Sequence, residues 1–140
     1  MYNLGDQFTF DYSKAIANKE NIIQGDKYRF TVLSERLIRM EYSEEGFFEN
    51  RPTELVWYRN MPPVKFEKSE DSKYLQIKTK YFELNYVKNK SFAGSKLNPT
   101  ANLNVKLLNT DSVWYYNHPE VRNYGAPSFS LDDNTGDPKL

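Results

Sequence analysis

Between residues 27 and 42 the sequence alternates apolar and polar side chains in two successive runs, and this pattern constrains the fold more than any other feature. A period of two residues is that of a β-strand with one buried face, and a tight turn is predicted at Ser34-Glu35, between the runs. The apolar members are Tyr28, Phe30 and Val32 in the first run and Ile38, Met40 and Tyr42 in the second. A lone ribbon of this kind is only marginally stable, so a second layer must cover its apolar face.

Short runs of the same kind follow along the rest of the chain. Residues 55–58 are apolar in succession, which predicts a strand covered on both faces. Residues 64–68 and 73–79 predict a hairpin in which Val64 and Phe66 face Leu75 and Ile77. Further strands are predicted at residues 21–24, 82–86, 103–107 and 113–116, and the longest loop at residues 89–100.

These segments predict one all-β domain, a two-layer antiparallel β-sandwich. A chain of 140 residues is long enough for a single core, and its 16 % aromatic content suits half-buried sheet surfaces. No stretch with the period of a helix exceeds two turns. Residues 1–26 are predicted to form a connector with an edge strand at residues 7–12, and residues 27–140 to form the sandwich itself.

Charge and cysteine content exclude several classes of function. Nineteen basic residues balance nineteen acidic residues, so the chain has no long-range field that would favour nucleic acid or an anionic membrane as a partner. The absence of cysteine excludes disulfides, thiolate catalysis and cysteine-ligated zinc, and it favours a cytoplasmic location. No segment has the pattern of a secretion signal or the length of a membrane span.

Two motifs resemble a known family. Residues 36–42 read RLIRMEY and residues 48–53 read FENRPT. They resemble the amino-terminal β-sandwich domain of glycoside hydrolase family 31, the α-glucosidase and α-xylosidase family, whose pattern is close to RLIRLEY, a turn and FEDRPT. The chain departs from that pattern at Met40, which conserves volume, and at Asn50, which removes a charge beside Arg51. Residues 123–132 keep part of a further family motif, and the resemblance spans roughly residues 27–136.

This resemblance implies a sandwich of the galactose-mutarotase-like type, incomplete at its carboxyl-terminal end. In the family the catalytic carboxylates belong to a following (β/α)8 barrel, which performs retaining hydrolysis of α-linked glucosides or xylosides without a cofactor. The present chain would therefore carry no catalytic residue and would be inactive alone. It would pack on the barrel as its partner and contribute to the rim of the substrate pocket, with an oligosaccharide or α-glycoside contacted by Asn123, Tyr124, Asp132 and Trp114.

The titratable residues of the chain do not form a recognisable catalytic or metal site. Glycoside hydrolysis needs two carboxylates on either side of one bond. The adjacent acids Glu44-Glu45 and Asp132-Asp133 would point to opposite sides of an extended chain, and both pairs are predicted to lie in solvated turns. His118 is the single histidine and has no partner with which to bind zinc. No metal site is predicted.

A second interpretation is a free-standing carbohydrate-binding module. The cluster Trp114-Tyr115-Tyr116 would supply flat aromatic faces with polar tips, which suit the apolar face of a sugar ring. The competing interpretation is that these rings, like Trp57, pack in the core or against the barrel.

Overall fold

The fold is all-β, with two antiparallel sheets. The computed structural model describes residues 12–53, 56–94 and 102–116. In order, the strands are β1 (Ile22–Gln24), β2 (Tyr28–Ser34), β3 (Leu37–Tyr42), β4 (Glu67–Glu70), β5 (Tyr74–Lys78), β6 (Phe82–Val87), β7 (Leu103–Leu107) and β8 (Val113–Tyr115), after two short 3₁₀ helices, Tyr12–Ala15 and Lys19–Asn21. Strands β1 to β3 form one sheet and β4 to β8 the other, each strand pairing with its neighbour in sequence. The predicted all-β sandwich architecture is confirmed.

The core lies between the inner faces of the two sheets, where aromatic rings meet. Tyr86 of β6 packs edge-on against Phe30 of β2 at 5.2 Å between ring centroids, and against Tyr28 at 5.3 Å. Edge-to-face contacts at this distance are favourable beyond the area that they bury. The alternation that predicted the inner face of β2 is confirmed, because Tyr28, Phe30 and Val32 are all buried.

The outer face of β2 is covered as well. Arg29 and Thr31 retain only 6 % and 2 % exposure, although they lie on the face opposite the core. The residues above this face are residues 15–17, Lys19 and, from the chain that follows β3, Asn50 and Arg59. The chain after β3 starts with a turn that requires Gly46. The φ of this residue is +72°, and a Cβ added there would lie 2.6 Å from the carbonyl oxygen of Asp26.

The prediction of a strand at residues 55–58 is wrong for residues 56–58, the part that the structure describes. Residues 56–58 belong to no strand, and Tyr58 is 59 % exposed; Leu55 lies outside the described residues. The backbone N–H groups that follow bind elsewhere, since those of Arg59 and Asn60 both donate to the carbonyl oxygen of Lys14. Residues 56–58 belong instead to the layer that covers the outer face of β2. In this covering layer the Trp57 ring stacks on that of Tyr12, with 6.4 Å between the ring centroids.

The hairpin between β4 and β5 is shifted from its predicted position. The residues paired with Leu75 and Ile77 are Glu70 and Lys68, not Phe66 and Val64 as predicted. The turn forms two residues later because the Asp71 carboxylate accepts hydrogen bonds from the N–H groups of Lys73 and Tyr74, each at 2.7 Å. Strand β4 is the outer edge of the sheet, and its four residues are all exposed.

Strand β7 follows the predicted alternation in part. Leu103 and Val105 are buried as expected, but Leu107, at the end of the strand, is 45 % exposed. On the outer face Asn104 is buried and lies in register with Asn85 of β6 and Gln76 of β5. The amide of Gln76 donates to Asn85 at 3.0 Å, and that of Asn85 donates to Asn104 at 3.5 Å. Residues 7–11 and 95–100, which the edge-strand and loop predictions include, lie outside the described residues.

The central position of Tyr86 predicts a pH-dependent stability. Burial raises the pKa of its hydroxyl to about 12. A folded-state pKa above the unfolded value near 10 means that the stabilisation is complete below pH 10 and is lost as the pH rises to 12. We expect the free energy of unfolding to fall by about 2 to 3 kcal/mol over that interval for this group. Denaturant titrations at each pH measure it.

The matched variants are Tyr86→Phe, which removes the titrating group, and Tyr74→Phe, which alters a tyrosine that is 51 % exposed. Tyr86→Phe should flatten the decline relative to the parent, and Tyr74→Phe should reproduce it. An equal decline in all three proteins would refute the assignment to Tyr86.

Candidate functional site

The residues predicted to contact substrate are described only in part. Asn123, Tyr124 and Asp132 lie outside the described residues, as do His118 and Asp133. Trp114 lies on β8 opposite Val105, which is on the inner face, and its ring packs against the hydrophobic core. Of the four predicted contact residues, the structure therefore describes Trp114 alone.

The Glu44-Glu45 pair lies in an exposed turn after β3, as predicted. Glu44 forms an ion pair with Lys27 and accepts a hydrogen bond from the hydroxyl of Tyr42. These contacts lower the pKa of the Glu44 carboxyl, the Lys27 hydrogen bond most of all. Because that carboxyl is held in its ionised form, it suits a structural role rather than proton donation.

The most elaborate polar cluster in the described chain lies on the outer face of the three-stranded sheet. Strand register places Arg29 of β2 opposite Glu41 of β3, and Thr31 opposite Arg39. Arg39 and Glu41 belong to the RLIRMEY motif, and the same alternation that turns Ile38 and Met40 inward turns these two outward. The motif therefore supplies both core residues and charged residues.

Arg29 joins this face to the loop that follows β3. Its Nε and Nη2 donate to the two carboxylate oxygens of Glu41 at 2.6 and 2.9 Å, a bidentate pair. Its Nη1 donates to Oδ1 of Asn50 at 2.7 Å, and Nη2 also donates to the carbonyl oxygen of Glu49 at 2.8 Å. The Phe48 ring lies 5.2 Å from the guanidinium carbon. Asn50 thus supplies an uncharged acceptor to Arg29.

Arg59 fixes the same loop from its other side. Its side chain is buried, with the residue 2 % exposed, and donates to three backbone carbonyl oxygens of the described chain. These are the oxygens of Val56 at 3.2 Å, Glu49 at 3.4 Å and Arg51 at 2.9 Å. A planar guanidinium can donate hydrogen bonds to several backbone carbonyl oxygens at once, and here it does so for carbonyl groups that have no neighbouring strand to bond with.

Asn21 anchors the far end of the irregular segment at residues 43–66. This asparagine is fully buried; its amide donates to the carbonyl oxygens of Met61 and Pro62, and its oxygen accepts from the N–H of Val64 at 2.8 Å. The described part of this segment contains no helix or strand, yet Asn21 and Arg59 hold it in place. Its order comes from side-chain to backbone hydrogen bonds.

A cavity of about 230 Å³ opens beside this cluster. Its floor is the outer face of β1 to β3, its walls include Asn50 and Arg59, and one side is closed by residues 15–17. The basic residues that line it are Lys19, Arg29, Arg39 and Arg59, and no acidic residue of the described chain lines it. Burial, followed by the charge of Arg39, lowers the pKa of Arg59.

The neighbouring carboxylate of Glu49 is engaged away from the cavity. It forms an ion pair with Arg51 at 2.6 Å and accepts the backbone N–H of the same residue at 2.8 Å. The hydrogen bond with the Arg51 side chain is the main reason that the pKa of Glu49 falls to about 2. Glu49 is therefore ionised at neutral pH and forms its ion pair with Arg51, while its charge partly offsets the lowering of the Arg59 pKa.

A larger cleft, of about 500 Å³, lies by the turn between β2 and β3. Its lining includes Leu33, Pro62 and Pro63, and Tyr81, whose ring lies 3.8 Å below the guanidinium carbon of Arg36. The cleft is a mixed apolar and polar surface without a convergent set of reactive groups.

Sequence reasoning missed Arg29, Arg59 and Asn21 as organising residues. Arg29 gave a partial signal, because it alternates with core residues and its partner strand carries Glu41. Arg59 and Asn21 gave none, since most of their partners are backbone groups.

No protein-family model matches the chain, and no curated protein matches it. Within the described ranges, no three histidine, cysteine, aspartate or glutamate side chains lie close enough together to hold a metal ion. In the same ranges, no helix has the length and apolar character needed to cross a bilayer.

The hydrogen bonds of Arg59 predict that replacing it with lysine lowers the free energy of unfolding much more than the same change at Arg51 does. Arg59→Lys keeps the charge but loses most of the bonds to carbonyl oxygens, and we expect it to destabilise the protein by about 2 to 3 kcal/mol. Arg51→Lys changes a side chain that is 81 % exposed and should stay within about 0.5 kcal/mol of the parent. Denaturant unfolding followed by tryptophan fluorescence measures both. Equal effects would show that the buried bonds of Arg59 do not stabilise the fold.

Proposed function

We propose that this chain is a non-catalytic β-sandwich domain that packs against a neighbouring catalytic domain. The observation that carries this proposal is the segment of residues 43–66, irregular where it is described but held by the buried residues Arg59 and Asn21. Loops of more than about 12 to 15 residues without secondary structure are uncommon in compact domains and are usually functional. An ordered loop on a rigid sheet is suited to recognising a partner.

The surface of this covering layer supports a docking role. Phe47 is 73 % exposed, and Tyr12, Ile16 and Tyr58 are each more than half exposed. Contacts link residues 12–14 to residues 57–58, because Trp57 stacks on Tyr12 and the ammonium of Lys14 lies 5.6 Å from the ring centre of Tyr58. Tyr12, Ile16, Trp57 and Tyr58 form what we call the outer aromatic patch. Grouped apolar residues at a surface are typical of interaction sites.

The state of the carboxylates supports a non-catalytic role. A general acid in glycoside hydrolysis needs a raised pKa so that it holds a proton at neutral pH. The pKa of Glu49 and that of Glu44 are lowered instead, and Glu41 is paired with two arginines. All three carboxylates stabilise local structure, and the lowered pKa makes Glu44 and Glu49 poor proton donors.

The parent enzyme in this proposal is a glycoside hydrolase of family 31, as the resemblance of residues 36–42 and 48–53 suggests. Its reaction would be retaining hydrolysis of an α-glucoside or α-xyloside in the cytoplasm, without a cofactor, on carboxylates of the barrel. The two motifs meet in one cluster, since Glu41 pairs with both Arg39 and Arg29, and Arg29 in turn binds Asn50. The segment around Asn123, Tyr124 and Asp132 would contribute to the pocket rim.

The docking role is tested by adding the purified chain to the catalytic barrel of a family 31 α-glucosidase produced without its own amino-terminal domain. We expect the two to associate and hydrolysis of p-nitrophenyl α-glucoside by the barrel to rise. The double variant Ile16→Ser/Tyr58→Ser should weaken association at least about tenfold, which is about 1.4 kcal/mol. Tyr74→Ser, which changes an exposed tyrosine of β5, is the matched control. No association, or equal weakening by the control, would contradict the docking surface.

The purified chain alone distinguishes the carbohydrate-binding interpretation. We expect no hydrolysis of α-glucosides and no change in tryptophan fluorescence on titration with malto-oligosaccharides, because Trp114 packs against the core. A saturable fluorescence change that disappears in Trp114→Ala would favour a sugar-binding module, and hydrolysis by the chain alone would overturn the non-catalytic proposal.

A further inference from the structure

The cavity on the outer face of the three-stranded sheet carries an excess of positive charge. The side chains of Arg29, Arg39 and Arg59 line it, with Lys19 at its exposed side. Among the described residues, the only carboxylate that forms an ion pair with any of the three arginines is that of Glu41. One paired carboxylate therefore faces three guanidinium groups, of which that of Arg39 belongs to a side chain that is 19 % exposed.

The three arginines differ in how many of their donors the protein already uses. A guanidinium has five N–H donors. Arg29 makes four hydrogen bonds and Arg59 makes three, all to groups of the protein. Arg39, by contrast, has an ion pair with Glu41 as its one contact among those that the structure describes. Arg29 and Arg59 are thus held in place by the fold, while Arg39 lines the cavity with most of its donors not bonded to any residue that the structure describes.

We propose that this cavity binds a small oxyanion, the phosphate or carboxylate group of a compact ligand, with Arg39 as the main contact. Its volume of about 230 Å³ is below the 300 to 1,000 Å³ typical of sites for drug-sized ligands. It is nevertheless several times the roughly 30 Å³ that one water occupies in the liquid. A free phosphate or a single sugar acid has the appropriate size.

Electrostatics favour an anion over a neutral ligand here. Like charges held close together in a partly buried site repel one another, and the lowered pKa of Arg59 reflects its burial and the neighbouring charges of Arg39 and Arg29. An oxyanion would offset that repulsion and could accept two parallel N–H bonds from one guanidinium. The inference does not rest on the role of the chain as a docking domain.

Asn50 offers a way to close the site without removing a residue that supports the fold. Its Oδ1 already accepts a hydrogen bond from Arg29, and it lines the cavity. Asn50→Asp would keep that acceptor and add a negative charge inside the cluster. The variant should fold, and it should compete with any bound anion.

The experiment measures binding of inorganic phosphate and of glucuronate by calorimetry, at constant ionic strength maintained with chloride. We expect saturable binding of at least one of the two to the full chain, and which of them binds identifies the source of the oxyanion. Arg39→Gln should weaken it at least tenfold, and Asn50→Asp should weaken it likewise. Glu41 keeps its bidentate pair with Arg29 in Arg39→Gln, so the fold should persist, as near-ultraviolet circular dichroism would verify.

The matched control is Arg36→Gln, which removes an equal charge at the β2–β3 turn, where the side chain lies over Tyr81 and outside the cavity. Its affinity should equal that of the parent. Absence of binding for both anions overturns the proposal. So does equal weakening in Arg36→Gln and Arg39→Gln, which would mean that the anions respond to overall charge.

Discussion

A buried guanidinium must find acceptors, and this requirement organises the structure outside the core. Arg59 lies almost fully buried, and its donors are satisfied by carbonyl oxygens of a segment that belongs to no sheet. Those carbonyl groups would be equally costly to bury without a donor. Arginine and segment therefore depend on each other, and a loop without strand partners acquires a single conformation. Arg29 extends the same arrangement to β2 and β3 through Glu41.

The two faces of the three-stranded sheet differ in the residues that they carry and in what those residues contact. The inner face contributes Phe30 and its neighbours to an aromatic core shared with the second sheet. The outer face carries charge that is covered rather than solvated, beneath residues 12–21 and the segment after β3. Because Arg39 and Glu41 alternate with Ile38 and Met40 on one strand, the packing of the core sets the positions of the charged groups. A ligand in the cavity would thereby be coupled to the covering layer and to the outer aromatic patch.

Local patterns in the sequence were sufficient to predict most strands of the sheets but not the layer that covers the outer face of the three-stranded sheet. Alternation marked β2, β3, β6 and the inner residues of β7 because the strand period is a property of neighbouring residues. Residues 56–58 were misassigned because their conformation depends on Lys14 and Arg59, and β4 was misplaced because the Asp71 turn lies two residues further on. In the site, Arg39, Glu41 and Asn50 belong to recognisable motifs. The burial of Arg59 could not be read from sequence, since its partners are carbonyl oxygens, which every residue possesses.

Strand β4 leaves one margin of the five-stranded sheet without a partner in the described chain, and its residues include Glu67, Lys68 and Glu70. Another extended polypeptide that paired with this edge would have to desolvate these charges. Charged edge strands disfavour edge-to-edge pairing in natural sheets for this reason. The protein should accordingly tolerate high concentration and heating without cross-β assembly starting at that border. Replacing the charges with valine or isoleucine would remove this protection while leaving the interior of the sandwich untouched.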